Sequence, residues 1–327
     1  MPKPKVYVTR KFFDEAIDLI KSVADVEIFE GENDPIPRKL LKEKIADVDG
    51  LLPMLTDKVD GELMDLGKNL KVVSNYAVGY NNIVVPDATE RGIIVTNPPG
   101  VLNDSTADCA FMLMMAISRR LVEVDKFVRE GKWVKAWGPK MLLGSDVTGK
   151  TLGIVGLGRI GQGMVPRAKG FKMNVIYHNR NPSPEKEKRL GVEYREFDDL
   201  LNEADFVSLH VPLNDETRHL IGERELKLMK PTAFLINTSR GPVVNEKALT
   251  KALREKWIAG AGLDVLYNEP TEHDNPLLEL DNVIVAPHIG SATTDTRLAM
   301  AMKAASNLVA ALKGEKPPDI VNPEVLE

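Results

Sequence analysis

Three residues late in the chain have the types and settings that carbonyl chemistry needs: Arg240 in Asn237-Thr238-Ser239-Arg240-Gly241, Glu269 in Asn268-Glu269-Pro270, and His288 in Pro287-His288-Ile289-Gly290-Ser291. A guanidinium neutralises a carboxylate and polarises a carbonyl beside it. An imidazole changes charge near neutral pH and can hand over a proton, and a nearby carboxylate orients it and favours its protonated form. Each residue follows a short apolar run suited to a buried parallel strand, at the edge where such sheets place ligands. Taken singly, Arg240 reads as a surface arginine, Glu269 as a loop carboxylate and His288 as a structural histidine. Their shared position at strand ends argues for chemistry. His178, His210, His219 and His273 lack so suggestive a setting, and His210 is open to either packing or cofactor contact.

A second constellation supplies what the first lacks. In Leu152-Gly153-Ile154-Val155-Gly156-Leu157-Gly158-Arg159-Ile160-Gly161 a branched apolar run meets Gly-x-Gly-x-x-Gly and a helix-compatible segment. This is the order of strand, phosphate-binding turn and helix in a dinucleotide site: Gly156 for the tight turn, Gly158 for approach of a pyrophosphate, Gly161 for close helix packing. The next strand, 174–177, ends at Tyr177-His178-Asn179-Arg180. An acid there would read a ribose 2′-hydroxyl and repel a 2′-phosphate. Asn179 removes the repulsion and Arg180 offers a guanidinium, so NADP(H) is the expected cofactor and NAD(H) the alternative. The other reading of Arg180 is a solvated loop charge. A hydride donor, an arginine for the acid and a histidine for the proton together describe reversible reduction of a small 2-keto acid.

These residues need two α/β domains to position them. The chain has 327 residues, beyond the size at which one core usually stops growing. Residues 1–102 alternate short strands (6–9, 26–29, 50–55, 72–77, 93–96) with amphipathic segments and carry no glycine fingerprint; the expected job of this part is to close over a ligand. Its segment Asn75-Tyr76-Ala77-Val78-Gly79-Tyr80-Asn81-Asn82 follows a strand and has turn formers whose N–H groups can receive a carboxylate, or make an ordinary turn. A helix from about 104 to 130 is expected, apolar almost all round over 107–117, wedged between domains and forming a subunit interface. The stretch 133–144, with two tryptophans, reads as an interface loop or an active-site lid. Strands at 206–211, 233–238, 261–265 and 283–286 bring the second domain to six. A last helix over 294–312 returns to the first domain, with Gly314 and Pro317-Pro318 ending it. The expected architecture is a Rossmann domain, 103–287, inserted in a flavodoxin-like doubly wound domain, 1–102 and 288–327.

Composition narrows the class. A net charge of −5 with both signs dispersed gives no basic footprint for nucleic acid. No apolar run has the length of a membrane span, and the first residues lead into a strand rather than a signal-peptide core, so a cytoplasmic protein is expected. The single cysteine, Cys109, excludes an intrachain disulfide and reads as a small buried side chain. No metal is called for.

On the motifs 156–161, Ser239-Arg240-Gly241, Gly262-Leu263-Asp264-Val265, Asn268-Glu269-Pro270 and Pro287-His288-Ile289-Gly290-Ser291, the chain resembles the D-isomer-specific 2-hydroxyacid dehydrogenases, most of all their glyoxylate/hydroxypyruvate reductase branch. The resemblance covers essentially the whole length. It implies that Arg240 binds carboxylate and carbonyl oxygen, that His288 is the proton donor or acceptor with Glu269 as its partner, that N–H groups around Val78 and Gly79 hold the carboxylate, and that Leu55 borders the substrate. It assigns Arg159 and Ile160 to the phosphate turn, Thr106 and Thr217 to cofactor contacts, Val211 and Pro212 to the adenine side, and Asp264 to the nicotinamide carboxamide. Thr238, Ser239 and Gly290 join the cofactor set with Arg240 and His288. Val78 stands where phosphite dehydrogenases carry a lysine. Met141 stands where many glyoxylate reductases place an aromatic reaching a neighbouring active site, and a flexible thioether there suits a larger 2-keto acid, ketoaldonates such as 2-ketogluconate included. Alongside a homodimeric reductase, a dinucleotide-sensing corepressor-like binding protein is the alternative from another class, and a formate or phosphite dehydrogenase a further enzymatic one.

Overall fold

Short runs of branched and apolar residues form the first sheet: β1 (Lys5–Val8), β2 (Asp25–Ile28), β3 (Gly50–Leu52), β4 (Val72–Ser74) and β5 (Ile94–Thr96), all parallel, in the order β2-β1-β3-β4-β5. That is the flavodoxin-like order. Every residue of β3 and β4 is buried, as parallel strands covered on both faces require. Helices α1 (Asp14–Lys21), α2 (Arg38–Lys44), α3 (Gly61–Leu66) and α4 (Val85–Glu90) cross between the strands. In α1 the buried stripe is Ala16, Ile17 and Ile20, with Asp14 and Glu15 in the first turn and Lys21 in the last, matching the helix dipole. The computed structural model describes residues 2–31 and 34–327, and this sheet belongs to one of two compact units, Met1–Leu102 with Thr293–Glu327; the other is Asn103–Ala292.

The second unit begins with α5 (Asn103–Ser118) and α6 (Leu121–Arg129). Then follow β6 (Thr151–Val155), α7 (Arg159–Gly170), β7 (Asn174–His178), α8 (Pro184–Leu190), β8 (Glu193–Tyr194), α9 (Phe197–Glu203), β9 (Phe206–Leu209), α10 (Glu223–Leu228), β10 (Phe234–Asn237), α11 (Glu246–Arg254), β11 (Gly260–Leu263) and β12 (Val283–Val285). All pairings are parallel, in the order β12-β11-β10-β9-β6-β7-β8. This is the Rossmann order with an added strand beyond β11, and its direction of travel reverses between β6 and β9, the point where such sheets open a ligand crevice. Apolar layers cover both faces: Leu200, Leu201, Leu226, Leu249 and Leu253 with their neighbours on one, Ala107, Leu113, Met114, Met164 and Val165 on the other. Each large side chain so buried contributes about 1.5–3 kcal/mol. The chain then returns to the first unit as α12 (Thr294–Leu312), capped by the Thr293 side chain, which accepts the Thr296 N–H, and packed on α1 and β4.

Three expectations need correction. The second sheet has seven strands, not six: β8 has two residues and is too short to show periodicity. The helix over 104–130 is two helices, because Arg120 adopts left-handed backbone (φ 54°) and its guanidinium is held by Glu123 and the Leu143 carbonyl. Burial stops at that break. α5 packs against α7, β10 and β11, whereas α6 has no buried residue. The second unit also runs on past 287 to Ala292, because Asp264 holds the backbone of Ile289 and Gly290. Cys109 on α5 is buried, which pushes its thiol up to about 12 and leaves it protonated at neutral pH. Among the described residues, no helix is long and apolar enough to cross a membrane, and no group of three or more His, Cys, Asp or Glu could hold a metal.

Candidate active site

The carboxyl ends of β10, β11 and β12 lie side by side, and each is followed by one of the three candidate residues. After β10, buried Asn237 shapes the loop: its Oδ1 accepts from the Ser239 N–H (3.0 Å) and hydroxyl (2.7 Å), and its amide donates to the Arg240 carbonyl (3.0 Å). Gly241 is obligatory, because a Cβ there would collide with the Leu266 carbonyl. The Arg240 guanidinium donates to the Ser239 carbonyl (2.7 Å); burial lowers its pKa, and the Glu269 carboxylate works the other way. Glu269 bridges to the third residue. One of its oxygens accepts the Leu266 N–H (3.2 Å), the other lies 2.7 Å from His288 Nδ1. A carboxylate only accepts, so Nδ1 carries a hydrogen and Nε2 is left for proton transfer.

His288 sits at φ 56°, an uncommon backbone for a side chain of this size, and its surroundings fix it there. Its N–H donates to the Asp264 carbonyl (2.8 Å), and the Asp264 carboxylate accepts from Ile289 (2.7 Å) and Gly290 (2.8 Å) N–H groups. Burial raises the Asp264 pKa, while these two hydrogen bonds and nearby His288 lower it. Both Asp264 oxygens thus hold the 289–290 turn, a task that the sequence did not reveal. Ser105 adds a bond from its hydroxyl to the Gly290 carbonyl (3.1 Å), and a Cβ on Gly290 would meet Thr106 at 3.3 Å. Arg240, Glu269, Asp264, Thr106, His288 and Gly290 are therefore brought together within one unit.

The glycine turn fits a dinucleotide. Gly156 has φ 98° and a Cβ there would meet the His210 carbonyl oxygen at 2.7 Å; one on Gly161 would strike the Gly156 carbonyl, while one on Gly158 would meet nothing within 4 Å. The N–H groups of Arg159 and Ile160 open α7 and have no partner within a helix. Thr238, at the end of β10, has a buried hydroxyl with no hydrogen-bond partner among the described residues, as a group awaiting a ligand would. At the end of β7, Asn179 Oδ1 accepts the Leu157 N–H (2.8 Å), and Arg180, 82 % exposed, pairs with Glu216 at 2.9 Å. Val211 borders Gly156, Pro212 is exposed, and the Thr217 hydroxyl already donates to the Pro212 carbonyl (2.6 Å). His210 is neutral: burial lowers it to about 4, and its Nε2 lies 2.9 Å from the Ser208 hydroxyl.

The remaining expected residues lie elsewhere. Leu55, Val78 and Gly79 belong to the first unit. Leu55 is in a turn held by Asp57, which accepts from the Thr9 hydroxyl and from the Met54 N–H (2.8 Å). Met141 is in the second unit, on an exposed stretch with Trp133, Val134, Trp137 and Leu143, its N–H donating to Gly138. The residues that sequence reasoning missed are the holders Asn237 and Ser105.

Comparison with known proteins gives the family. Residues 111–290 match the family model described as D-isomer specific 2-hydroxyacid dehydrogenase, NAD binding domain. The chain is 54% identical to a glyoxylate reductase of Thermococcus litoralis over 327 residues, covering 99% of this chain and 98% of that one. A crystal structure of a Thermus thermophilus protein superposes with a TM-score of 0.91 at 43% identity, over 97% of this chain and 99% of the other. An NADPH-dependent glyoxylate/hydroxypyruvate reductase of Sinorhizobium meliloti, in complex with NADP and malonate, gives 0.87 at 31%, over 99% and 98%. With its two parallel sheets, its glycine turn and its arginine, glutamate and histidine at neighbouring strand ends, the chain belongs to the D-isomer-specific 2-hydroxyacid dehydrogenase family.

Proposed function

We propose that this enzyme reduces a small 2-keto acid, glyoxylate first and hydroxypyruvate second, to the 2-hydroxy acid of D configuration where the product is chiral, with NADPH preferred over NADH. The observation that carries the reading is the Glu269 carboxylate, which lies 2.7 Å from His288 Nδ1 and acts on the half-buried Arg240. When bound, the reduced nicotinamide supplies the hydride. Arg240 neutralises the substrate's carboxylate and polarises its carbonyl, and charge building on the carbonyl oxygen is stabilised by the same guanidinium. His288 Nε2 delivers the proton to that oxygen. Glu269 holds the ring in the tautomer that leaves Nε2 for this task and balances the imidazolium charge. The Val78 and Gly79 N–H groups of the first unit are the backbone donors that the resemblance assigns to a carboxylate. The glyoxylate reductases among the relatives favour this reading over a ketoaldonate reductase or a corepressor-like binding protein.

The cofactor preference rests on Asn179 and Arg180, neither of which brings a negative charge to the end of β7. The exposed Arg180 and Glu216 pair is worth at most about 1 kcal/mol, so a phosphate can displace Glu216. The enzyme is proposed to work in the cytoplasm as a homodimer, through the apolar side chains that α6 and the 133–143 stretch leave exposed, among them Leu121, Val122, Val128, Trp133 and Trp137. Met141 on that stretch would then border a second copy's substrate. The test is oxidation of NADPH and, separately, NADH by purified protein with glyoxylate, hydroxypyruvate and 2-ketogluconate. Turnover with either of the first two, faster with NADPH, is expected; cofactor binding without turnover on any of them would replace the reading with the binding protein.

A further inference from the structure

We infer that Asn75 and Asn97 are positioning residues that aim the Val78 and Gly79 N–H groups at the substrate's carboxylate; the inference rests on the keto-acid reading above. The Asn75 side-chain amide donates to the carbonyls of Ala77 (2.9 Å) and Gly79 (3.0 Å). That of Asn97, just beyond β5, donates to the Val78 carbonyl (2.7 Å). Three successive carbonyls are thus tied by two side chains. A trans peptide is planar, with its N–H pointing opposite to its C=O. Tying the Ala77 and Val78 carbonyls therefore fixes the Val78 and Gly79 N–H groups in the reverse direction, and neither N–H donates to any group among the described residues.

The two asparagines are themselves held. Asn75 is fully buried; its N–H donates to the Thr96 carbonyl (2.9 Å) and its Oδ1 accepts from Asn82 (3.2 Å), whose amide also reaches the Met54 and Asp57 carbonyls. The Asn97 carbonyl accepts from Asn307 on α12 (3.1 Å). An amide suits this task because it donates to carbonyls without placing a charge beside the turn. An isosteric aspartate could not donate, and it would face the Val78 carbonyl with a like partial charge.

The experiment compares wild type with Asn97→Ala and the isosteric Asn97→Asp, after thermal unfolding has established that each is folded. Readouts are KM and kcat for glyoxylate, NADPH affinity, and calorimetric binding of oxalate to the NADPH-loaded protein as a non-reacting carboxylate. We expect KM for glyoxylate and the oxalate dissociation constant to rise together, by about tenfold for Ala and more for Asp, with kcat and NADPH affinity nearly unchanged. Unchanged KM and oxalate binding in a folded variant would overturn the inference. If the wild type turns over no keto acid, the functional reading fails, and oxalate binding alone decides the positioning role: weaker in the variants supports it, equal or absent in all three proteins overturns it.

Discussion

The cluster at the carboxyl edge of the second sheet and the turn after β4 in the first unit both gather hydrogen-bond donors, but by different physical means. The cluster uses charge. Arg240 is desolvated enough to lose part of its basicity, and a carboxylate shared with His288 compensates. The turn uses neutral dipoles, with N–H groups aimed by the amides of Asn75 and Asn97. Charge stabilises a developing oxyanion strongly, but it changes with pH and needs a partner when buried. Backbone dipoles are weaker, do not titrate, and depend on how firmly their carbonyls are held. On the proposed reading, the chemistry belongs at the charged cluster and pH-independent anchoring at the turn.

Removing charge from the cluster gives the sharpest break in that comparison. Arg240→Gln keeps hydrogen-bond donors and loses the cation, and should lower kcat/KM for glyoxylate by about 100- to 1000-fold, far more than Asn97→Ala at the turn. Steady-state kinetics decide it, and similar losses at both places would erase the distinction. A second effect concerns a titratable group outside the reacting set. His210 is held at about 4 against an ordinary 6.5. Between these values the unfolded chain binds a proton that the folded chain does not, so stability is full above about pH 6.5 and falls toward pH 4, by up to about 1.4 kcal/mol per pH unit. Denaturant melts across that range should show this slope in wild type and a shallower one in His210→Gln; parallel slopes would contradict it. The smallest effect is at the exposed ion pair. Glu216→Gln should tighten NADPH by up to about fivefold while leaving NADH alone, and Arg180→Asp should weaken NADPH and spare NADH. Titration of each cofactor measures both.

The sequence exposed what is local. Gly-x-Gly-x-x-Gly after a branched strand, and single reactive residues just past apolar runs, can be read without neighbours because parallel sheets put ligands at strand ends. Arg240, Glu269 and His288 were legible for that reason, and their mutual distances were not. The holders were silent. Asn75, Asn97 and Asn237 act through carbonyls whose direction depends on the surrounding fold, and a buried asparagine carries no sequence sign separating it from one in an ordinary turn. The break between α5 and α6 was equally hidden, because Arg120 takes a left-handed backbone that glycine would have announced. β8, with two residues, was too short to leave a period.

The most direct test of the central claim, that the charged cluster carries the proton chemistry, is NADPH oxidation with glyoxylate by wild type and His288→Ala side by side, with NADPH affinity measured on both proteins. The account predicts that turnover falls by about 100- to 10,000-fold in the variant while NADPH binds almost as before. Turnover near that of wild type in a folded His288→Ala protein would contradict it.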